Sequence, residues 1–402
     1  MALQRWLVAS LACFHAAALS IPRSCNDSTV DLTKLDASMD SIEALSVLQQ
    51  ATMRNLYLED QRSMPQRSTC SLTNAAVRRD WEHMCPRERK EFIQAVQCLR
   101  AKPSIADPDF ARAARTRYDD FTAVHVNLTN FVHATGSFLT WHRYFIWSFE
   151  KALRDECGYP GYLPYWNWFS HADDPRSSPV FDGSDTSIGG DGAYFPHNGS
   201  AAFFGSVPLP PANGGGCIAS GPFKDIQATM GPIAAGMFGM EPPVASFHEY
   251  NPRCIRRDLN HHVSSRFFTT ANLLNLTIGD ASKTVKSFQD EFNGRPQDNG
   301  FMGLHSAGHY TINGENTDFY TSVNDPSFFF HHAMIDKIFW MWQVLHPAES
   351  REVAGTLTLR NEPPLGNATI YDPLIMGVNA PTRMIHELMG TMDGTPLCYI
   401  YA

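Results

Sequence analysis

The chain has 402 residues, of which 43% are hydrophobic, 12% aromatic and 18% charged, a composition that can bury a large core. Its formal net charge of -9 excludes a nucleic-acid binder, which needs basic patches, and serves by default as a solubility feature.

Residues 1–20 begin with Met-Ala-Leu-Gln-Arg and continue through a mainly apolar stretch, Trp6 to Leu19, with small residues near its end. This is the pattern of a secretory signal peptide. It is too short to anchor stably in a bilayer, and no later segment is long and apolar enough to do so. The expectation is a secreted, extracellular protein whose single mature domain spans 21–402. Of nine cysteines, Cys13 lies in the leader, leaving Cys25, Cys70, Cys85, Cys98, Cys157, Cys217, Cys254 and Cys398 for up to four disulfides, with the pairing open. Five glycosylation sequons, at Asn26, Asn127, Asn198, Asn275 and Asn367, agree with export.

Leucines and alanines at helical spacing predict a helix over 41–58. A second is predicted over 86–99, opening on Pro86 and a charged turn, with Phe92, Ile93, Val96 and Leu99 facing in. Residues 110–125 are expected to form the helix that ends in His125. The segment 138–149, around His142, is apolar on nearly every face, as in a helix enclosed by protein. Between Asp173 and Pro252 glycine, proline, serine and asparagine dominate. This predicts a long loop that wraps the helices, pinned by Cys217 and Cys254, and forms part of an entrance.

Two groups of histidines carry the chemistry. His125, His133 and His142 form the first. The second begins with His305 and His309, four apart and therefore on one face of a helix. A zinc protease with this spacing needs a glutamate directly after the first histidine, and Ser306 stands there. Further on, Asp325 and Pro326 make a good helix start before Phe328, His331, His332 and Asp336. His331 and His332 point about 100° apart, so one ion takes only one of them. Asp336 is a candidate to steady this helix or the site from behind. Two three-imidazole sites without thiolate or carboxylate suit copper, and two copper ions held close together can pass two electrons to O2.

His125, His133 and His142 with Phe138, the His305/His309 pair, and the Asp-Pro-x-Phe-x-x-His-His-x-x-x-Asp run at 325–336 resemble the binuclear copper signature of the tyrosinase, catechol oxidase and hemocyanin superfamily. The resemblance runs from about Cys70 to Tyr401 and is strongest to short secreted fungal polyphenol oxidases. It includes Tyr165-Trp166-Asn167-Trp168, similar to the family's Tyr-Trp-Asp-Trp. It implies a mainly α fold, with a central four-helix bundle around a dicopper site wrapped by long loops and a few short strands. It also implies that His125, His133 and His142 bind the first copper and His305, His309 and His332 the second, because the family uses the second histidine of the doublet. Phe138 and Phe328 are expected to pack against the imidazoles.

The implied reaction is oxidation of o-diphenols to o-quinones with O2 reduced to water. The partners would be O2 and small phenols, with no membrane and no nucleic acid, in a monomer or small homo-oligomer. Ser306 and Tyr310 follow the first two ligands of the second copper, where family members tune monophenol hydroxylation. Gln297, with Asn293 and Glu291 behind it, is the candidate to hold a water. An amide is a weaker base than a carboxylate, so diphenol oxidation is favoured over strong tyrosine hydroxylation. True monophenol hydroxylation and a specialised o-aminophenol or hydroxyindole oxidase are the alternatives. An oxygen carrier and a dizinc hydrolase fit less well.

Phe131 stands where relatives with a histidine thioether have cysteine, so His133 is expected to be free of that bond. Tyr399-Ile400-Tyr401 resembles the motif that closes the family's catalytic domain, and with only Ala402 beyond it no covering lid is expected. His83, His171, His197, His248, His346 and His386 read as surface or loop residues, and the doublet His261-His262 as structural.

Overall fold

Helix Ser327–Leu345 carries almost no polar face, and it is buried on all sides from Ser327 to Gln343. The computed structural model describes residues 30–62, 69–295 and 297–402. The expected leader, Cys25 and the Asn26 sequon lie outside them. In chain order the described helices are α1 (Ser41–Arg62), α2 (Pro86–Ala101), α3 (Arg117–Val132), α4 (Phe138–Cys157), α5 (His261–Phe267), α6 (Thr270–Thr277), α7 (Val285–Asn293), α8 (Gly303–Ile312) and α9 (Ser327–Leu345). The fold is mainly α, and its centre is a bundle in which α4 packs on α3 and α9, and α8 packs on α9. The described strands are two to four residues long and pair only two at a time.

Local chemistry sets the helix ends. The Asp325 carboxylate accepts from the Ser327 amide at 2.9 Å, capping α9, while Arg257 grips both of its oxygens at 2.7 Å. The helix expected over 110–125 instead starts at Arg117. There Thr116 and Asp119 form a reciprocal capping box, and the helix continues past His125 to Val132. Residues 107–115 before it are turns, with Phe110 and Ala111 both bonding back to the Asp107 carbonyl. Gly308 has to be glycine because α8 crosses α9 closely: a Cβ there would lie 2.0 Å from the His331 ring.

Disulfides join Cys70 to Cys398, Cys98 to Cys157 and Cys217 to Cys254. The second ties the end of α2 to the end of α4. The third pins the 173–252 segment, as expected from its position.

Asp336 hydrogen-bonds to none of the histidines, so of the two roles expected for it, steadying the helix or the site, the first is the one its contacts serve. Its carboxylate accepts from Arg143 at 2.6 Å, Tyr399 at 2.6 Å, Tyr401 at 2.7 Å and Arg78 at 3.4 Å, all buried. Burial works to raise the Asp336 pKa, but the Arg143 and Arg78 guanidiniums hold it below the ordinary value. Strand Ala76–Arg78 pairs in parallel with Tyr399–Tyr401, so this carboxylate fastens the outer strands to the core of the bundle.

Candidate metal centre

Each imidazole of the first group is aimed by its own Nδ1–H. His125 donates to the Tyr320 carbonyl at 2.7 Å, His133 to Thr129 at 2.9 Å and His142 to Phe138 at 2.8 Å. Those bonds fix the tautomer that leaves the Nε2 lone pair for a metal. His125 sits on α3, His142 on α4, and His133 just past the end of α3 in extended backbone, which turns its ring back towards the other two. Ligating atoms of the three lie within 4.8 Å of one another. The buried Nε2 atoms of His125 and His142 have no protein partner. Buried polar atoms without partners are costly, and three converging lone pairs are what a soft-to-borderline cation takes.

The second group, His305, His309, His331 and His332, meets the same 4.8 Å limit. His305 Nδ1–H donates to the Asn293 Oδ1 at 2.7 Å and His309 Nδ1–H to the Asn316 carbonyl at 3.1 Å. The Nε2 atoms of His305 and His309 are 3.2 Å apart, and those of His309 and His332 are 3.3 Å apart. With the Nδ1 protons of His305 and His309 committed elsewhere, the Nε2 atoms of these two face one another as lone pairs, an arrangement a cation between them resolves. His331 is turned aside, its Nε2 bonded to the His305 carbonyl at 3.0 Å. His332 lacks an Nδ1 partner and is held by stacking instead, between Phe328 at 4.0 Å and His142 of the other group at 4.5 Å. Phe138 lies 5.0 Å from the His142 ring and 4.8 Å from His305, so it packs across both groups.

Burial pushes all these imidazoles towards the neutral, ligating form. It takes His133 down to about 4 and His309 down to about 3. Burial is also the main cause for His125, His142, His305 and His332, reinforced by the neighbouring imidazoles. The residues therefore fit two copper ions, one in each group.

Above the second group opens a cavity of about 520 Å³ lined by His133, His305, His309, Ser306, Tyr310 and Asn293, with Phe203, Phe204, Phe238, Phe319 and Leu359 further out. Ser306 donates to the Asn293 carbonyl at 2.7 Å and Tyr310 to the Ala201 carbonyl at 3.2 Å. Asn293 is thus held at both ends, with its Oδ1 turned to His305. Gln297 does not line this cavity. It is exposed on the turn beyond α7 and lines a neighbouring, more polar cavity that shares Ala134 and Asn293 with the first. Glu291 is occupied by Asn275 and Arg295.

Several contacts are invisible to sequence reading: the carbonyl acceptors Thr129, Asn316 and Tyr320, and Phe319, whose ring lies 4.8 Å from His133. The first three act through backbone atoms and leave no trace in residue type. His197 is not a surface histidine, because its side chain is buried 3.2 Å from Asp258.

The family described as "Tyrosinase: Common central domain of tyrosinase" matches residues 115–345, which contain all the histidines of both groups. The chain is 39% identical over 330 residues to tyrosinase-like protein orsC of Emericella nidulans, covering 78% of this chain and 86% of that one. It is 36% identical over 339 residues to tyrosinase P of Aspergillus terreus, covering 81% and 91%. Its structure superposes on that of a polyphenol oxidase variant from Thermothelomyces thermophila with a TM-score of 0.82 at 34% identity, over 92% of this chain and all of the other. The chain belongs to the tyrosinase family of dicopper oxidoreductases.

Proposed function

We propose that this chain oxidises o-diphenols to o-quinones at a copper pair held by His125, His133 and His142 on one side and His305, His309 and His332 on the other. The observation that carries the reading is the convergence of imidazole Nε2 atoms, with five of the six Nδ1–H groups already committed to oxygen acceptors. When bound, the copper ions supply the electron transfer to O2. Two diphenols each give two electrons and two protons, and one O2 becomes two waters, so electrons and atoms balance.

The chain's own residues bind and orient. The cavity admits the phenol ring over His305 and His309, Phe138 and Phe328 hold the imidazole planes, and Asn293, locked by Ser306, fixes His305. Among the described residues the Asn293 Nδ2 has no hydrogen-bond acceptor, which leaves it to hold a water or a substrate oxygen at the cavity wall. Asp318 is the one carboxylate of the described lining, and its oxygens are consumed by the amides of Ile233, Ala234, Tyr320 and Thr321. Among the described lining residues no free carboxylate stands ready to deprotonate a monophenol, which favours diphenol oxidation over strong tyrosine hydroxylation.

Export is part of this reading, supported by three disulfides and by the exposed sequon asparagines Asn127, Asn198 and Asn367; the Nδ2 of Asn275 is bonded to Glu291. No described helix is long and apolar enough to cross a membrane. Oxygen uptake by the copper-loaded protein tests the oxidase claim. Rapid uptake with catechol and slow, lagging uptake with tyrosine supports it, and uptake with tyrosine as fast as with catechol would replace it with a tyrosine hydroxylase.

A further inference from the structure

The outer wall of the cavity is built from a hairpin whose turn uses unfavourable residues. Strands Ser200–Ala202 and Val207–Leu209 pair antiparallel, and the Gly205 amide bonds back to the Ala202 carbonyl at 3.2 Å. The two central residues of that turn, Phe203 and Phe204, have φ of 50° and 56°. Left-handed φ at both centres is the geometry for which Asn-Gly is suited, and bulky side chains are strained in it. Two adjacent phenylalanines there cost stability, and such strain persists where the rings serve a purpose.

Their surroundings indicate that purpose. Phe204 is 64% exposed, lines the cavity and meets Phe319 edge to face at 5.3 Å, and Phe319 in turn packs on His133. The hairpin is held from below by Tyr310, which donates to the Ala201 carbonyl, and alongside by Gly236 to Phe238, whose backbone bonds to Gly199 and Ala201. Across the mouth, Leu359 lines the cavity, and the next residue, Arg360, also left-handed at φ 56°, sets its guanidinium 5.8 Å over the Phe204 ring.

The result is an apolar sleeve of Phe203, Phe204, Phe238, Phe319 and Leu359 above the imidazoles. No lysine or arginine is among the described lining residues, and the Asp318 carboxylate is already saturated. A charged amino-acid chain inside the sleeve loses water and meets no cation among the described lining residues, the Arg360 guanidinium at the mouth lying over the Phe204 ring, whereas an apolar group gains burial. A cavity of about 520 Å³ also lies in the range of roughly 300–1,000 Å³ suited to ligands well above the size of a bare catechol.

We propose that the Phe203-Phe204 hairpin tip is a specificity element, selecting phenols that carry a bulky uncharged apolar substituent over phenols that carry a charged amino-acid chain. The proposal rests on the oxidase reading above and names its substrate class.

The test compares 4-tert-butylcatechol with L-DOPA on the copper-loaded full chain and on F203N/F204G, which installs the turn's preferred pair and removes both rings. Wild type is expected to favour 4-tert-butylcatechol in kcat/KM by roughly tenfold or more, and the variant to lose most of that ratio, chiefly through KM, with its thermal midpoint kept or raised. Phe204→Ala serves as a second variant should the double substitution unfold. An unchanged ratio in a folded variant, or a wild type that prefers L-DOPA, overturns the proposal. Anaerobic titration of the same ligands reads binding without turnover. If no catechol is oxidised yet the binding preference is present and lost in the variant, the oxidase reading falls and the specificity element stands. If catechol is oxidised without either preference, only the specificity element falls.

Discussion

Asn293 shows how much one side chain can settle at this site. Its Oδ1 is the acceptor that orients His305, and Ser306 holds its carbonyl, so the amide is locked between α7 and α8. Asn293→Ala is expected to weaken copper at the second site by roughly 10- to 100-fold, as loss of such an orienting partner does. Gln297→Ala, outside the cavity, is expected to leave that affinity unaltered. Stepwise copper titration of both variants reads the difference, and equal losses would return Gln297 to the site.

The buried imidazoles also set a pH dependence in the copper-free chain. His133 has a folded pKa of about 4, below its unfolded value, so the unfolded chain binds protons first as pH falls. Stability from keeping it neutral is full above the ordinary histidine value and is lost as pH drops through that value towards about 4. At pH 5 the loss is roughly 2 kcal/mol for this one residue, with the other buried histidines acting in the same direction. The thermal midpoint of the copper-free protein should therefore fall steadily between neutral pH and pH 5, and a flat profile would contradict the burial argument.

Among elements, α8 and α9 are legible in the sequence because their signals are local. A four-residue histidine spacing, an Asp-Pro start and an unbroken apolar run need no tertiary information. The start of α3 differs from the expected one although its signal is equally local, since the Thr116 to Asp119 box outweighs the apolar Phe110 upstream. Asp336 cannot be read in this way. Its partners, Arg78, Arg143, Tyr399 and Tyr401, are scattered along the chain and meet only in the fold. Nor can spacing tell which amide near the end of α7 faces the imidazoles, since Asn293 is the last residue of the helix and Gln297 lies on the turn beyond it.

The Asp336 cluster makes its own prediction. Asp336→Ala leaves the buried Arg143 guanidinium without its carboxylate, while Arg78 keeps Glu150 at 2.9 Å, and should cost about 3–5 kcal/mol, since breaking one partner of a buried ion pair strands the other charge. Denaturant unfolding measures this, and a loss below about 1 kcal/mol, the range of an exposed pair, would show that the cluster does not fasten the outer strands to the bundle.

At the scale of the molecule, the bundle brings two histidine groups from opposite ends of the matched domain face to face. His142 and His332 stack at 4.5 Å, one from each group. The long 173–252 segment contributes no ligand, but it supplies Ala201, Phe203, Phe204 and Phe238 to the entrance, so the core holds the metals and the loops choose what reaches them. That division lets substrate preference change in the hairpin while the copper chemistry stays fixed.

The most direct test of the account is the copper content per chain of the reconstituted protein, measured alongside H142A and H332A. Two independent three-histidine sites predict about two copper ions for the wild type and about one for each variant, since each substitution leaves the other group intact. A wild type that saturates with one copper, or variants that both retain two, would contradict the assignment of the six ligands.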